Sequence, residues 1–383
     1  MKITNVKTYL VAAHRPGGWA SRNWCFVEIE TDEGITGIGE ASGWPRVIET
    51  AIKDLTPVLI GEDPRRIERL WQKMLIAMMG HGMTGVVGGG AMTGIEIALW
   101  DILGKSLNAP ICDLLGGRVR DTVRVYAHAS TVERAQELVG RGFDALKCSS
   151  LQRPVGLIRD MRRALGDEID LMTDLHGPPW LSVPDAIRIG QELEEYDILF
   201  YEDPVPPENI EALAQVGAAI NVPLAAGERS TNIWGFRELI EREILDVIQP
   251  DMGRAGGFLQ MKKIAAMAEA HHIPIAPHDG SNGPVAEAAA VHLLASIPNC
   301  LILEHLEDDV PWRYDIATPL KITNSQIEIP TKPGLGIDFD PKVALAHPAT
   351  GNITPPSDEK VSQTYVYPRP KRSRLWRLPD DGA

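Results

Sequence analysis

Seven ionisable residues recur along the chain at nearly even spacing, and each follows a short apolar run. The intervals between them are 27, 28, 26, 23, 27 and 26 residues, about the length of one strand plus one helix. Because the carboxyl ends of successive parallel strands meet on one rim of a barrel, we expect these side chains to converge there. The seven residues are Lys147, Asp174, Glu202, Glu228, Asp251, His278 and Glu304.

Three carboxylates of this set end consecutive runs and predict a site for a divalent cation. Asp174, Glu202 and Glu228 would repel one another at a common rim unless a cation or a substrate compensated their charge. Oxygen ligands without cysteine suit a hard octahedral ion such as Mg²⁺, with positions left for water and a chelating substrate. The alternative is a carboxylate cluster that basic neighbours neutralise, with Lys147, Arg229 and Arg254 as the partners.

Two histidines near these carboxylates are candidates for proton transfer. Asp251 and His278 end neighbouring runs, an arrangement in which a carboxylate orients an imidazole and raises its basicity. Opposite a metal site the pair predicts a general base, whereas in isolation it would be structural. His176 follows Asp174 by two residues and is expected to face the same cavity, because alternate residues of an extended run share a side. It is the candidate proton donor to a leaving group, and substrate binding is the alternative.

The elements that must position these residues follow two patterns. The first hundred or so residues combine strand-like runs with helical periodicity at 47–59, 67–79 and 91–103, which predicts an α+β module. From about residue 122, eight short apolar runs alternate with helical segments, which is typical of a closed α/β barrel. The helix expected after the eighth run is missing. The predicted units are a capping domain over 1–120, a barrel over 121–318, a segment over 319–349 that returns to the capping domain, and an irregular extension over 350–383.

Composition excludes several classes of partner. The chain has 383 residues, with 52 acidic and 38 basic side chains and a formal net charge of −14. This acidic balance argues against nucleic-acid binding and against binding to an anionic membrane. The first residues lack the apolar core of a signal peptide, and no run approaches the length that crosses a membrane, which predicts a cytoplasmic protein. Four scattered cysteines without a C-x-x-C pair predict free thiols.

Five stretches carry a resemblance to a known family: TGIEIALWDILGKSLNAPICDLLGG, VEIETDEGITGIGEA, FYEDP, QPDMGRAGG and PGLGIDFD. Together they resemble the mandelate racemase and muconate lactonizing branch of the enolase superfamily, over about residues 1–341. The resemblance implies an enolase-like α/β fold, which is a modified TIM barrel of the (β/α)7β type with an α+β capping domain built from both ends of the chain. It also implies a homo-oligomer, either a dimer or an octamer.

The same resemblance assigns roles to the strand-end residues. The three carboxylates match Mg²⁺ ligands, and the Asp251–His278 dyad matches the base that abstracts the proton α to a carboxylate, giving an enediolate that the metal stabilises. Glu304 matches an acidic residue that hydrogen-bonds the substrate carboxylate or the enediolate. If the pKa of Glu304 were raised, its protonated form would donate a hydrogen bond to the developing charge.

One departure from the family's lysine-base members narrows the reaction. Those members carry Lys-x-Lys on the second barrel strand, whereas this chain has Lys147-Cys148-Ser149, and Ser149 cannot take the proton unaided. Two-base racemisation and muconate cycloisomerisation therefore lose support. Asp-x-His together with the dyad is instead similar to the sugar-acid dehydratases that act on galactonate, other aldonates or aldarates. His278 would remove the C2 proton and His176 would protonate the departing 3-hydroxyl, giving a 2-keto-3-deoxy acid.

Further residues are expected to contact the acid sugar. Lys147 would meet the substrate carboxylate, and the capping domain would hold two loops, about 14–24 and 42–47, over the barrel mouth. An ordinary loop or packing role is the alternative for every residue in this group. The candidate contacts are His14, Arg15, Arg22, Trp24, Trp44, His128 and Trp312.

Other functions use the same scaffold. A cycloisomerase that opens an aldarolactone, or an acid-sugar epimerase, would employ the same metal and base. The cycloisomerase needs no proton donor to a departing hydroxide, so His176 distinguishes it from a dehydratase. A noncatalytic sugar-acid-binding protein would retain the barrel without turnover.

Overall fold

A three-stranded antiparallel sheet and four helices form the first module. The computed structural model describes residues 1–13, 23–78, 85–177, 180–307, 310–349 and 361. The sheet has strands in the order β1-β2-β3, and the elements are β1 (Ile3–Ala12), β2 (Asn23–Thr31), β3 (Thr36–Ala41), α1 (Pro45–Leu59), α2 (Ile67–Met78), α3 (Val86–Leu107) and α4 (Ile111–Leu114). The expected α+β organisation is present, and α3 is longer at both ends than its periodicity predicted.

Helix α3 is the central element of this module and is buried along most of its length. It lies so close to β3 that two glycines of the strand have no room for a side chain. A Cβ added to Gly39 would lie 2.0 Å from the Gly94 carbonyl oxygen, and one on Gly37 would lie 2.1 Å from the Ala98 carbonyl oxygen. Its length and composition alone would let it cross a membrane. The expectation that no run reaches that length is therefore wrong for α3, but its burial identifies it as a core helix.

Parallel strands alternating with helices form the barrel. β4 to β9 pair in chain order, β10 pairs with β4, and Ile275 bridges Ile248 on one side and Cys300 on the other. The ring is thereby closed, with its seventh strand reduced to a single bridging residue. The strands are β4 (Thr122–His128), β5 (Ala145–Cys148), β6 (Asp170–Asp174), β7 (Phe200–Glu202), β8 (Leu224–Ala226), β9 (Val247–Ile248) and β10 (Leu303–Glu304). The predicted α/β class, a (β/α)7β barrel with an α+β cap, is confirmed.

Helices cover the outside of this ring, and the last of them is buried along its whole length. They are α5 (Val132–Gly140), α6 (Pro154–Leu165), α7 (Val183–Leu193), α8 (Ile210–Gly217), α9 (Asn232–Glu241), α10 (Gly257–Ala270) and α11 (Pro284–Ala295). Between β10 and residue 321, the described part of the chain forms one helix, the four-residue α12 (Arg313–Ile316), in agreement with the missing eighth helix.

The carboxyl-terminal segment touches the barrel before it reaches the first module. A hairpin of β11 (Ile322–Thr323) and β12 (Gln326–Glu328) pairs antiparallel with β4. Only then does the chain continue through α13 (Pro341–Ala346) to β1, where the Ala12 amide donates to the His347 carbonyl at 2.9 Å. The extension predicted over 350–383 lies outside the described residues, apart from Val361.

Two buried carboxylates of the first module dock it onto the barrel. Glu96 of α3 accepts the amides of Phe258 and Leu259 in the first turn of α10, at 2.8 and 2.9 Å. Glu40 of β3 accepts amides at the start of α11, including that of Ala286 at 2.9 Å. Carboxylates suit these positions because the first amides of a helix have no intrahelical acceptor. Since α10 and α11 follow the strands that end in the predicted dyad, this docking holds the cap beside it.

Candidate active site

Lys147 lies at the centre of the strand-end cluster predicted from spacing. Its ammonium Nζ lies 2.9 Å from Glu202, 2.8 Å from Glu304 and 3.5 Å from Asp174. Burial alone would lower the pKa of Lys147, but the carboxylates of Glu202 and Glu304 raise it well above its ordinary value. The ammonium is thus engaged by protein carboxylates, and its contact with a substrate carboxylate stays a prediction.

The predicted dyad is formed in the structure. Nδ1 of His278 lies 2.7 Å from Oδ2 of Asp251, while Nε2 lies 2.9 Å from Glu228 and 3.7 Å from Glu304. Burial would lower the pKa of His278, but the charges of Glu228 and Glu304 raise it well above its ordinary value. The imidazole therefore has one nitrogen committed to its orienting carboxylate and the other directed at the carboxylate cluster.

His176 faces the same cluster, as its position two residues after Asp174 predicted. Its Nδ1 lies 2.9 Å from Oδ1 of Asp174, and its backbone amide donates to the same oxygen at 3.1 Å. This hydrogen bond outweighs burial and raises the pKa of His176 to about 9, so the ring carries its proton at neutral pH. Its side chain is 37% exposed, far more than the 8% of His278, which leaves it accessible to a ligand in the mouth.

The carboxylates fit a divalent cation by their chemistry, although they are not arranged around one. Among the described residues, no group of three or more His, Cys, Asp or Glu side chains stands close enough to hold an ion as they lie. They are turned instead toward cationic partners: Lys147, His176 and His278.

Buried oxygens without a hydrogen-bond partner also bear on whether the carboxylates fit a divalent cation. Glu202 Oε1 and both carboxylate oxygens of Asp203 are buried without a hydrogen-bond partner. Burial and the charge of Asp174 raise the pKa of Glu202 to about 7, and burial with Glu228 raises that of Asp203 well above its ordinary value. A buried oxygen donor set with too few protein cations is the environment that a hard divalent ion stabilises. Asp174, Glu202 and Glu228 would hold it.

Glu304 joins the cluster at the end of β10, but it is not the proton donor that a raised pKa would make it. Burial would raise its pKa, yet Lys147 and then His278 lower it well below its ordinary value. Its Oε1 also lies 2.7 Å from Nε2 of His128, the predicted contact at the end of β4. The condition of a raised pKa is therefore not met in this arrangement, because Lys147 and His278 hold Glu304 as a carboxylate.

Several expected substrate contacts lie elsewhere. Trp24 belongs to β2 rather than to a loop, is 1% exposed, and packs against Phe26 and under the Arg313 guanidinium. Trp312 stacks on His347 with ring centroids 4.2 Å apart, so its ring contacts the returning segment. Both tryptophans pack against other residues of the protein. Sequence pattern alone does not distinguish such packing positions from loop positions. Of the remaining candidates, Trp44 is half exposed before α1, while His14, Arg15 and Arg22 lie outside the described residues.

Two residues that the spacing argument missed contact the cluster directly. Gln249 donates from Nε2 to Glu202 at 2.9 Å, and Asn282 donates from Nδ2 to Oδ1 of Asp251 at 3.0 Å. Gln249 precedes Asp251 by two residues, so the alternation that singled out His176 would also have found it. Asn282 lies in the loop after His278, where periodicity carries no information.

Comparison with known proteins places this geometry in a family. A model of the mandelate racemase/muconate lactonizing enzyme N-terminal domain matches residues 12–116, and one described as enolase C-terminal domain-like matches residues 130–343. The chain belongs to the mandelate racemase/muconate lactonizing enzyme family. The two matched regions correspond to the cap and to most of the barrel, so the resemblance drawn from five sequence stretches is confirmed.

Relatives within the mandelate racemase/muconate lactonizing enzyme family cover nearly the whole chain. A D-xylonate dehydratase from Haloferax volcanii is 34% identical, over 91% of this chain and 90% of its own. A D-galactonate dehydratase from Ralstonia pickettii is 35% identical, over 90% of this chain and 94% of its own. The crystal structure of a 3,6-anhydro-D-galactonate cycloisomerase from Zobellia galactanivorans superposes with a TM-score of 0.85 at 31% identity, over 91% and 99% of the two chains.

Proposed function

We propose that the protein is a Mg²⁺-dependent acid-sugar dehydratase that converts an aldonate or an aldarate to a 2-keto-3-deoxy acid. The observation that carries this proposal is the presence of two histidines of different environment at one carboxylate cluster. His278 is fixed by Asp251, and the more exposed His176 is paired with Asp174. Removal of a proton and departure of a hydroxyl need a base and an acid, and this pair supplies both. The dehydratase names of two relatives support the same reaction class.

The chain's own residues divide the reaction between them. With Glu228 engaged by the cation and no longer by Nε2, His278 would be neutral and would take the proton from C2 of the acid at Nε2. Asp251 holds Nδ1 and stabilises the imidazolium that forms. His176 gives its proton to the 3-hydroxyl, so the C3–O bond breaks and water leaves. The resulting enol tautomerises to the 2-keto acid. Asp174, Glu202 and Glu228 would hold a divalent cation, which would supply electrostatic stabilisation of the negative charge that develops on the substrate carboxylate.

Cycloisomerisation of a cyclic acid sugar is the second candidate, because one structural neighbour is named a 3,6-anhydro-D-galactonate cycloisomerase. That reaction would use the same dyad and cation. In that reaction His176 would have no departing hydroxide to protonate. Its hydrogen bond with Asp174, which favours the protonated ring, therefore favours the dehydratase.

A screen of aldonates and aldarates with Mg²⁺, read out as 2-keto acid product, tests the proposed function. We expect product from at least one acid with the wild type and none with His278→Asn, because the base is lost. Turnover of cyclic acid sugars added to the library, such as an aldarolactone, with no turnover of any open-chain acid would establish the cycloisomerase instead. No product and no α-proton exchange in deuterated solvent across the library, with folded protein that binds Mg²⁺, would leave a sugar-acid-binding protein.

A cytoplasmic homo-oligomer that acts on small acid sugars, without nucleic-acid or membrane partners, is part of the same proposal. The acidic balance supports the part of it that concerns nucleic acids and anionic membranes. Light scattering on the purified full chain would measure whether the assembly is a dimer or an octamer.

A further inference from the structure

The dyad carboxylate is held by donors other than its histidine. Oδ1 of Asp251 accepts the Gly253 amide at 2.7 Å and the Asn282 side chain at 3.0 Å. Oδ2 lies 2.7 Å from Nδ1 of His278 and 3.2 Å from Nε of Arg254. Asp251 is fully buried, so these contacts define where its charge sits. Arg254 shares with the imidazole the oxygen that orients it.

Arg254 also joins three separate parts of the molecule. Its NH1 donates to the backbone carbonyl of Glu228 at 3.1 Å, and its NH2 donates to Oγ of Ser281. Its Nε donates to Oγ of Ser42 at 3.4 Å. Ser42 follows β3 in the capping domain, whereas Ser281 follows the dyad histidine in sequence. One guanidinium, only 12% exposed, therefore touches the cap, the β8 end and the dyad.

The cap and the dyad loop are in contact at the backbone as well. The Ser42 amide donates to the Gly253 carbonyl at 2.9 Å. A Cβ added to Gly253 would lie 2.5 Å from Cβ of Ser42, so this approach requires glycine. A displacement of the cap at Ser42 would thus move Arg254 through the Ser42 side chain. It would also move Gly253 through the backbone hydrogen bond.

We propose that Arg254 is a positioning residue that fixes the Asp251 carboxylate for His278 and couples the dyad to the capping domain through Ser42. A guanidinium suits this role because it is planar, permanently charged and can donate in several directions at once. The expected effect of Arg254 on turnover rests on the proposed dehydratase function. The expected effect on the Asp251–His278 hydrogen bond does not. Each is measured separately.

The geometric arm uses the Nδ1–H proton resonance of His278 in the full-length protein with Mg²⁺, assigned by its loss in His278→Asn. We expect this resonance to shift in Arg254→Ala and to return when millimolar guanidinium is added, because the free cation can refill the space beside Asp251. Arg254→Lys should shift it less than alanine does. An unchanged resonance in Arg254→Ala would overturn the proposal whether or not the protein turns over any acid sugar.

Arg162 provides a matched control, since it is a partly buried arginine. Its hydrogen bonds to described residues all go to backbone carbonyls, among them Tyr196 at 3.1 Å and Ile169 at 2.8 Å. Arg162→Ala should lower the melting temperature and leave the His278 resonance in place. A shift of equal size in this variant would show that general loosening of the barrel moves the signal, and the proposal would fail.

The kinetic arm compares kcat and KM on the best acid from the screen. Arg254→Ala should lower kcat and the rate of α-proton exchange by about 10- to 100-fold, the loss typical of removing a hydrogen bond to a charged group. KM should change less, and guanidinium should restore kcat. A variant in which kcat is retained, or in which guanidinium has no effect, contradicts a positioning role. If the wild type dehydrates no acid, the proposed function fails and the resonance alone decides the inference.

Discussion

Three buried or partly buried histidines show how neighbours, rather than residue type, set the charge of an imidazole. Hydrogen bonding to Asp174 raises the pKa of His176 to about 9, and the charges around His278 raise its pKa well above the ordinary value despite burial. Burial lowers the pKa of His292 to about 4, and the two hydrogen bonds of that ring are to backbone groups rather than to carboxylates. The protonation of the first two rings is therefore set by the carboxylates beside them, and that of the third by its burial.

Replacing His176 by asparagine should separate the two halves of the reaction. His176→Asn should retain α-proton exchange in deuterated solvent and lose dehydration by at least about 100-fold, because the base remains while the proton donor is gone. Exchange is measured by NMR and product by a 2-keto acid assay. Retention of both activities would remove His176 from the mechanism.

Metal binding can be tested on a single strand. Mg²⁺ at about 100 times its Kd should stabilise the wild type by about 2.7 kcal/mol, and this increment should shrink or vanish in Asp174→Asn. Asp170, at the opposite end of β6, pairs with Arg124 and is the matched control: Asp170→Asn should keep the increment. Unfolding in urea with and without Mg²⁺ gives both values, and an equal response in the two variants would refute the assignment.

Strands and helices position these residues by where they end and what they touch. The barrel strands are at most seven residues long, so their terminal side chains lie close to the rim. Helix α11 shows how such an element is fixed in place. Its His292 accepts the Cys112 amide at Nδ1 and reaches the Leu335 carbonyl with Nε2 at 3.0 Å. One neutral ring thus ties α11 to α4 and to the returning segment.

This tie should make stability depend on pH. The folded pKa of His292, about 4, lies below its value of 6.5 in the unfolded chain, so the unfolded chain binds more protons between these values. The stabilisation is fully present above pH 6.5 and is lost as pH falls toward 4, with a loss of about 2 kcal/mol between pH 7 and pH 5. His292→Gln should remove the contribution of His292 to the pH dependence of the free energy of unfolding.

Urea unfolding at pH 7 and pH 5 measures the slope directly. His272→Asn, at an exposed position beyond α10, is the control and should keep the wild-type slope. An identical slope in His292→Gln and the wild type would show that the buried imidazole does not titrate as described.

The whole molecule depends on how the cap is docked to the barrel. Glu96 and Glu40 each receive the first amides of a barrel helix, and Glu96 also accepts from Trp100 at 2.8 Å. Burial outweighs these hydrogen bonds and raises the pKa of Glu96 to about 8 and that of Glu40 to about 7. The interface therefore carries two polar groups whose loss would leave buried amides unsatisfied.

Truncating one of these carboxyls should loosen the docking. Glu96→Ala should lower the free energy of unfolding by about 1–3 kcal/mol, because the amides of α10 lose their acceptor. Glu68 also crosses from the cap to the barrel, but its pair with Lys263 is exposed at 3.3 Å. Glu68→Ala should therefore cause little change. Equal effects of the two substitutions, measured by urea unfolding, would show that Glu96 has no special role.

Much of the fold followed from local pattern. Helix periodicity predicted α1 and α2 to within two residues, and the alternation of apolar runs with helices predicted the barrel. The return of the chain was predicted only in part, because the hairpin that pairs with β4 joins residues about 200 positions apart. Such pairing depends on the assembled barrel, which presents the first residues of β4 to the hairpin, and no local sequence pattern encodes it.

The sequence by itself determined which residues meet at the barrel rim, because strand ends spaced by one βα unit must point to the same end of a closed ring. Only the tertiary structure decided what each of them touches. The Arg254 contact with Ser42 spans 212 positions, Glu304 is ionised because Lys147 and His278 surround it, and Trp24 is buried under Arg313. Distance, burial and charge are set by packing between segments remote in sequence, and those three quantities determine protonation and contact at the site.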